Sequence, residues 1–528
     1  MPLPPANTTW PPPPLEGIAP WLATWSAWYA GDPAALRAAY QATGTNLVAP
    51  SDRPAQYRGG VVGAMARMWW GRPLADLTQR QDQLHVPVAS DLCQASADLL
   101  FSEPPTLTVE DTRTKERLEE LAGDGLHTQL AESAEIAAAL GGVYLRVTWD
   151  RDVVPDAPFL TSVHADAAWP EFRFGRLVAV TFWRIVAVNG QAVVRHLERH
   201  ELNGGVGVVL HGLYEGTATS LGRAVPLTEQ GATRDLADHV DNEGSISTES
   251  PGLGVVYVAN QRPQRRWRTH PLGTHLGRSD LDGVEPLMDA LDEVYSSWMR
   301  DIRLGKSRVF IAQSMLEGNI PGQGAAWNAD REVYAPVNAL PSRESSGLPI
   351  EAHQFAIRVQ EHRDTAQQLM EDILRTAGYS SQTFGEGPDG AATATEVVAR
   401  ERRSYMTRDR KIRLFRPGTA DVIEKLLAVD AAIFGSGVKA ERPVVAFGDG
   451  VSEAPNALAT TAELLRRAQA ASTKTLVELV HPDWAPEQVA AEVALIDAAS
   501  AVPDAGSFRP GVDDQAAAGQ DPAAAPPA

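Results

Sequence analysis

The sequence predicts an α+β fold in which helices and antiparallel strands occupy separate stretches of the chain. Three observations carry this. Apolar residues recur three or four apart from about 17 to 141, the pattern turns strand-like from Val143, and helical spacing returns from Val284. In the first stretch "PAALRAAYQA", "VASDLCQASADLLF" and "LHTQLAESAEIAAALGG" read as helices, the last ending on a glycine pair suited to a helix stop. From Val143, "GVYLRVTWD", "GRLVAVTFWRIVAV", "QAVVRHLERHEL" and "GVVLHGLYEG" are rich in Val, Tyr, Phe and Trp and are parted by Asn-Gly or Gly-Gly turns, which predicts a meander. The polar, Gly-rich 216–254 reads as a long loop, and "GVVYVAN" as one more strand.

Residues 284–304 form a helix with Val284, Leu287, Met288, Leu291, Val294, Tyr295, Trp298 and Ile302 on one stripe. A small β insert follows, "SRVFIAQ" and "REVYAPV", joined by "EGNIPGQGAAW"; then 352–377 is a second helix, spaced by Phe355, Val359, His362, Ala366, Leu369 and Ile373. A third spans about 391–416, and Arg416-Pro417-Gly418 is expected to kink or interrupt it before "TADVIEKLLAVDAAIF". The strand "RPVVAFGD" and three shorter helices between 454 and 500 complete the ordered chain. The Pro-rich opening reads as an extended arm, and the Ala, Pro, Gly and Asp content from Val502 as a disordered tail.

A chain of 528 residues divides, at about 150 per domain, into three or four structural units. No run of about 18 apolar residues offers a membrane span. The opening lacks the basic start and apolar centre of a signal peptide, and a single cysteine, Cys93, forms no internal disulfide; both predict a cytoplasmic setting. A formal charge of -20 argues against a protein whose main task is to hold nucleic acid tightly.

Motifs for catalysis are weak. Gly305-Lys306-Ser307 matches the end of a P-loop, but Arg300 stands where that motif needs glycine, and a helix precedes the triplet where a strand belongs. His196, Glu198 and His200 alternate on one strand face with no fourth ligand suggested, which favours an ordinary exposed polar face over a metal site. HExxH, GxSxG and a defensible Cys/His nucleophile are missing, and "SDLDG" is too short for a calcium loop. The expectation is no enzyme, no cofactor and no metal.

"TFGEGPDGAATATEVVARERRSYMTRDRKIRLFRPG", residues 383–418, sets glycines before an arginine-rich helix. From Arg400 to Arg416 eight basic residues stand against Glu401 and Asp409. Phosphate contact is one reading, and pairing with acidic residues on neighbouring elements or subunits is the favoured one in so acidic a chain. A lone GxG without a preceding strand is a weak phosphate signal, and a flexible loop explains the glycines better.

Four stretches together resemble the portal proteins of tailed bacteriophages, specifically of long-tailed phages infecting actinobacteria: "MWWGRPLADLTQRQDQLHVPVASDLCQASADLLFSEPPTL" (68–107), "EVYSSWMRDIRLGKSRVFI" (293–311), "ATATEVVARERRSYMTRDRKIRLF" (392–415) and "LVELVHPDWAPEQVAAEVALI" (476–496). The resemblance implies a ring, usually of twelve subunits, at one capsid vertex, with a mainly helical stem and crown, an α/β wing and a small β-containing clip. On that basis 1–16 is a Pro-rich arm and 17–280 the first part of the wing. Residues 281–305 and 352–377 are stem helices, 306–351 the clip and 378–392 a tunnel loop. Residues 393–450 are the long wing helix with its return to the wing, 451–500 the crown and 501–528 the tail.

The resemblance implies that double-stranded DNA passes through the channel during packaging and ejection, and that head joins tail there. Implied partners are further copies of the chain, the terminase large subunit, major capsid and scaffolding proteins and a head-tail adaptor. The implied place is the virion vertex, after assembly in the host cytoplasm. Phe384, Gly385, Glu386, Gly387, Pro388, Asp389 and Gly390 are the expected tunnel loop, and Lys306, Arg308 and Trp327 the expected clip docking surface. Arg400, Arg402, Arg403, Arg408, Arg410, Lys411 and Arg413 are the expected subunit contacts. The competing readings are a nucleotide-dependent DNA-processing enzyme built on Lys306 and the basic helix, and a capsid or adaptor component without a channel.

Overall fold

A computed structural model describes residues 3–43, 84–123, 125–304, 308–312, 334–337, 351–353, 357–385, 394–448, 455–481, 484 and 486–500. The chain divides into two compact units, Met1–Gly450 and Val451–Ala528.

The first unit opens with helices, as their spacing predicts. Helix α1 (Ala19–Ala30) buries Trp25 and Trp28 and stops at Gly31, whose φ of 65° is open to glycine at little cost. The Asp32 side chain accepts from the Ala34 amide at 2.8 Å at the start of α2 (Pro33–Thr43). Helices α3 (Val88–Phe101), α4 (Thr112–Gly123) and α5 (Leu126–Leu140) follow, with strand β1 (Thr106–Thr108) between α3 and α4. α5 ends at Gly141, where a Cβ would stand 2.7 Å from the Gly277 carbonyl oxygen, so the glycine pair both stops the helix and admits a close backbone.

The strand region forms two sheets where a single meander was expected. β2 (Gly142–Thr148) lies between β3 (Phe159–His164) and β10 (Val255–Ala259) in one antiparallel sheet. β4 (Ala168–Arg173), β5 (Arg176–Asn189), β6 (Ala192–Asn203), β7 (Val206–Thr217) and β8 (Ser220–Val225) form an antiparallel meander, and β9 (Ser245–Pro251) also pairs with β7. The expected loop at 216–254 therefore contains β8, the short helix α6 (Gly231–Arg234) and β9. Small and polar residues hid these strands, because backbone pairing with β7 does not depend on an apolar face.

The Pro-rich arm is docked. Thr9 bridges Ser220, the Trp10 amide donates to the Thr219 carbonyl at 2.9 Å, and Trp10 is buried with Leu197, Tyr214 and Leu221 beneath the Trp183 edge. The arm thus covers the edge of β8, which otherwise presents unpaired backbone groups.

Helices α7 (Glu285–Leu304) and α8 (Val359–Ala377) run antiparallel, because contacts join opposite ends of the pair. At one end Asp301 accepts from Arg358 and approaches His362 Nε2, each at 3.0 Å; at the other the Tyr379 hydroxyl donates to Asp280 at 2.8 Å. Glu285 anchors the start of α7, accepting from the Trp25 indole at 2.8 Å and the Gly283 amide at 2.7 Å. Between the helices lie β11 (Arg308–Ala312), β12 (Tyr334–Val337) and β13 (Glu351–His353), with β12 parallel and β13 antiparallel to β11. The helix expected from 352 therefore begins at Val359: residues 351–353 pair with β11 instead.

Helix α9 (Ala394–Ile433) is continuous and contains Pro417, so the expected interruption does not occur. Pro417 costs one backbone hydrogen bond, but buried Phe415, Val422 and Ile423 pack both sides of it into the core. Gly418 is needed for contact: a Cβ there would stand 2.6 Å from Val258 Cγ2 on β10. β14 (Val444–Ala446) returns to pair with β1. One apolar core runs through Trp25, Leu92, Ala137, Leu145, Val258, Met288, Ile373 and Phe415, joining the helices to the smaller sheet. Each such large side chain contributes about 2 kcal/mol by burial.

The second unit contains α10 (Pro455–Arg467), α11 (Thr473–Val480) and α12 (Pro486–Ser500). Ser472 caps α11 by accepting from the Thr475 amide at 3.3 Å.

Candidate functional site

The segment that raised the phosphate question divides in two. A 3₁₀ turn, Ser381–Phe384, precedes the glycines, so the strand-loop-helix order of a phosphate cradle does not arise. Of the expected tunnel loop, Phe384 meets Tyr379 edge-on at 6.4 Å and Gly385 closes the turn with a φ of 76°. Glu386, Gly387, Pro388, Asp389 and Gly390 lie outside the described residues, as do Lys306 and Trp327 of the expected docking surface. Arg308 opens β11, opposite His353.

The basic residues of α9 sort by helical face. Ser404, Thr407, Arg408, Lys411 and Phe415 lie on an inward stripe, while Arg402, Arg403, Arg410 and Arg413 are exposed. The Lys411 ammonium is 1% exposed and pairs with Asp280 at 2.5 Å, while also donating to Ser96. Asp280 further accepts from Asn260 at 2.8 Å, Gln261 at 2.7 Å and the Tyr379 hydroxyl. Burial pulls the Lys411 ammonium below its ordinary value, and the Asp280 carboxylate opposes that. Arg408 donates to the Leu99 carbonyl at 2.6 Å and to that of Gly448. Lys411 and Arg408 therefore tie α9 to α3, the 260–280 segment and the end of α8 within one subunit. Their place on the apolar stripe set by Ile412, Phe415, Val422 and Ile423, projected backward along the helix, was the available signal.

Above this node is a pocket of about 360 Å³ lined by five arginines: Arg265, Arg278, Arg375, Arg403 and Arg410. Arg403 donates to the Arg375 carbonyl at 2.6 Å, close to the negative end of α8. Arg375 pairs with Asp372 at 2.5 Å, and Arg278 donates to the Gln261 side chain. Burial, then the Arg265 and Arg410 cations, pull the Arg278 guanidinium below its ordinary value. Arg265 and Arg410 have no hydrogen-bond or ion-pair partner among the described residues. Sequence spacing could not assemble this cluster, because its members come from separate segments that meet only in the fold. Its fixed forks suit carboxylates or other oxyanions.

The β6 residues are buried, contrary to the exposed face expected of them. His196 and His200 are 4% and 3% exposed. His196 stacks on His211 at 5.4 Å, and Glu198 accepts from Arg146 at 2.7 Å and approaches His200 Nε2 at 2.6 Å. Burial draws both His196 and His211 down to about 4. Burial alone would raise the Glu198 carboxyl, yet the His200 hydrogen bond and the Arg146 guanidinium hold it below the ordinary carboxylate range. The face is a polar network inside the sheet, and no group of three or more metal-ligating side chains converges among the described residues.

Two solved structures resemble the chain, each at 14% identity and each covering 77% of this chain and 93% of the other. One is the neck of a native GTA particle computed with C12 symmetry, at a TM-score of 0.38; the other is the neck of an empty GTA particle computed with C6 symmetry, at 0.36. No curated protein matches. The sequence matches the family described as "Phage portal protein, SPP1 Gp6-like" over residues 225–500, a stretch that takes in β9, β10, the α7–α8 pair, α9 and the last helix of the second unit. A match over more than half of the chain establishes membership: the chain belongs to the SPP1 Gp6-like phage portal protein family.

Proposed function

We propose that this chain forms the portal channel at one capsid vertex, a homo-oligomeric ring, usually dodecameric, through which double-stranded DNA enters during packaging and leaves at ejection. The family match over 225–500 carries this reading. The antiparallel α7–α8 pair, which encloses a small β unit, supports a stem with the clip at its end. In this reading 17–280 and 393–450 build the wing, 378–392 the tunnel loop and 451–500 the crown.

The protein acts as a conduit and assembly platform. A separate terminase ATPase supplies the energy for translocation and docks at the clip, through Lys306, Arg308 and Trp327; a head-tail adaptor takes that place later. Capsid and scaffolding proteins surround the wing. Exposed Arg402, Arg403, Arg410 and Arg413, with Arg400, serve subunit contacts. Net acidity suits the task, because each phosphate contact adds about -0.9 to the salt slope of DNA binding, and a strongly basic lumen would clamp the duplex.

One packaging assay tests the division of labour. Deleting 385–390 is expected to leave ring assembly intact while DNA packaging or retention falls; loss of ring assembly would make that segment structural. Replacing 317–330 with a short linker is expected to abolish terminase pull-down, and unchanged binding would remove the docking assignment.

A further inference from the structure

We propose that the five-arginine pocket at the junction of α8 and α9 receives carboxylates from a second copy of this chain, an inference that rests on the ring reading and extends the subunit contact beyond α9 to Arg265, Arg278 and Arg375. Five guanidiniums face the recess, and Asp372 is the carboxylate paired with one of them. Arg265 and Arg410, both exposed, have no partner among the described residues, so the described residues leave their positive charge uncompensated.

Charge and shape select the occupant. The chain carries a formal charge of -20, so a second copy brings an excess of carboxylates to any surface it touches. A recess of about 360 Å³ is at the small end of ligand-sized pockets and admits inserted side chains or a loop tip. A duplex presents a broad convex backbone, and a recess of this size fits an inserted side chain better. Closed rings built from head-to-tail contacts set one face of each subunit against a different face of the next, so a cationic recess meets a surface other than itself. Arginine forks then bind carboxylates bidentately in a partly buried setting, where screening by salt is reduced.

The test uses the full chain and reads self-association by mass photometry and sedimentation. The Arg265→Ser/Arg410→Ser double variant is expected to weaken association about tenfold or more with an unchanged thermal midpoint, since neither residue has a described partner to lose. For wild type, sulfate is expected to weaken association more than chloride at equal ionic strength, because a tetrahedral oxyanion competes for the same forks; this arm holds even if the variant misfolds. Equal association of variant and wild type, or equal effects of the two salts, overturns the inference while leaving the ring reading standing. A wild type that never assembles removes the ring reading and this inference with it. Loss of duplex DNA binding in the variant without loss of self-association would reassign the pocket to phosphate.

Discussion

Lys411 shows how little a residue's type reveals about its role. It belongs to a basic run that reads as surface, yet it is the cation of a fully buried pair whose partner gathers Asn260, Gln261 and Tyr379. Breaking a buried pair leaves a charge without compensation and costs about 3–5 kcal/mol. Lys411→Met is therefore expected to lower the urea midpoint by an amount corresponding to about 3 kcal/mol, and adding Asp280→Asn should recover part of it. Arg413→Ala should stay within about 0.5 kcal/mol. Equal losses at both positions would contradict the assignment. His196 and His211 give a pH dependence. Both are held neutral in the folded state down to about 4, against an ordinary 6.5, so between these values the unfolded chain binds more protons. Their contribution is complete above 6.5 and is lost as pH falls toward 4. Arg184, Arg146, Glu198 and His200 surround them; Glu198, itself held low, loses its contribution only at still lower pH. His196→Gln should flatten the decline in urea midpoint between about pH 7 and 5; an unchanged slope would count against the buried network.

Elements were legible where an apolar pattern drives them and obscure where backbone pairing does. α2, α3, α5, α7 and strands β2, β5, β6, β7 and β10 stand close to their predicted positions, because a stripe or an alternation must face the core. β8, β9 and β13 were missed because their identity comes from a neighbour's free hydrogen-bonding edge, which no local window contains. Pro417 does not interrupt α9, for the opposite reason: a local breaker was overruled by the core packing on either side of it. Gly418 offers a test at this scale. Helix propensity alone makes Gly418→Ala stabilising by about 1 kcal/mol, but the added methyl meets stiff, buried Val258. Overpacking of this kind costs about 1–3 kcal/mol. The expected outcome is net destabilisation, read from thermal unfolding, and Val258→Ala in the same chain should relieve it. A stabilised single variant would show that α9 can move away from β10.

At the scale of the whole molecule, the candidate site had been visible only in part. The run of arginines on α9 drew attention to the right helix, but the sequence could not show that Arg408 and Lys411 turn inward while Arg403 and Arg410 join Arg265, Arg278 and Arg375 around one recess. That sorting depends on how α8, α9 and the 260–280 segment cross, a property of the assembled core. It gives the acidic chain a basic recess suited to its own copies. The central claim is that copies close into a ring around a channel, and electron microscopy of the purified full chain tests it most directly. Closed rings with a central hole, twelve-fold in most particles, are the predicted result; monomers or open aggregates without a hole, at protein concentrations and salt that permit assembly, would contradict it.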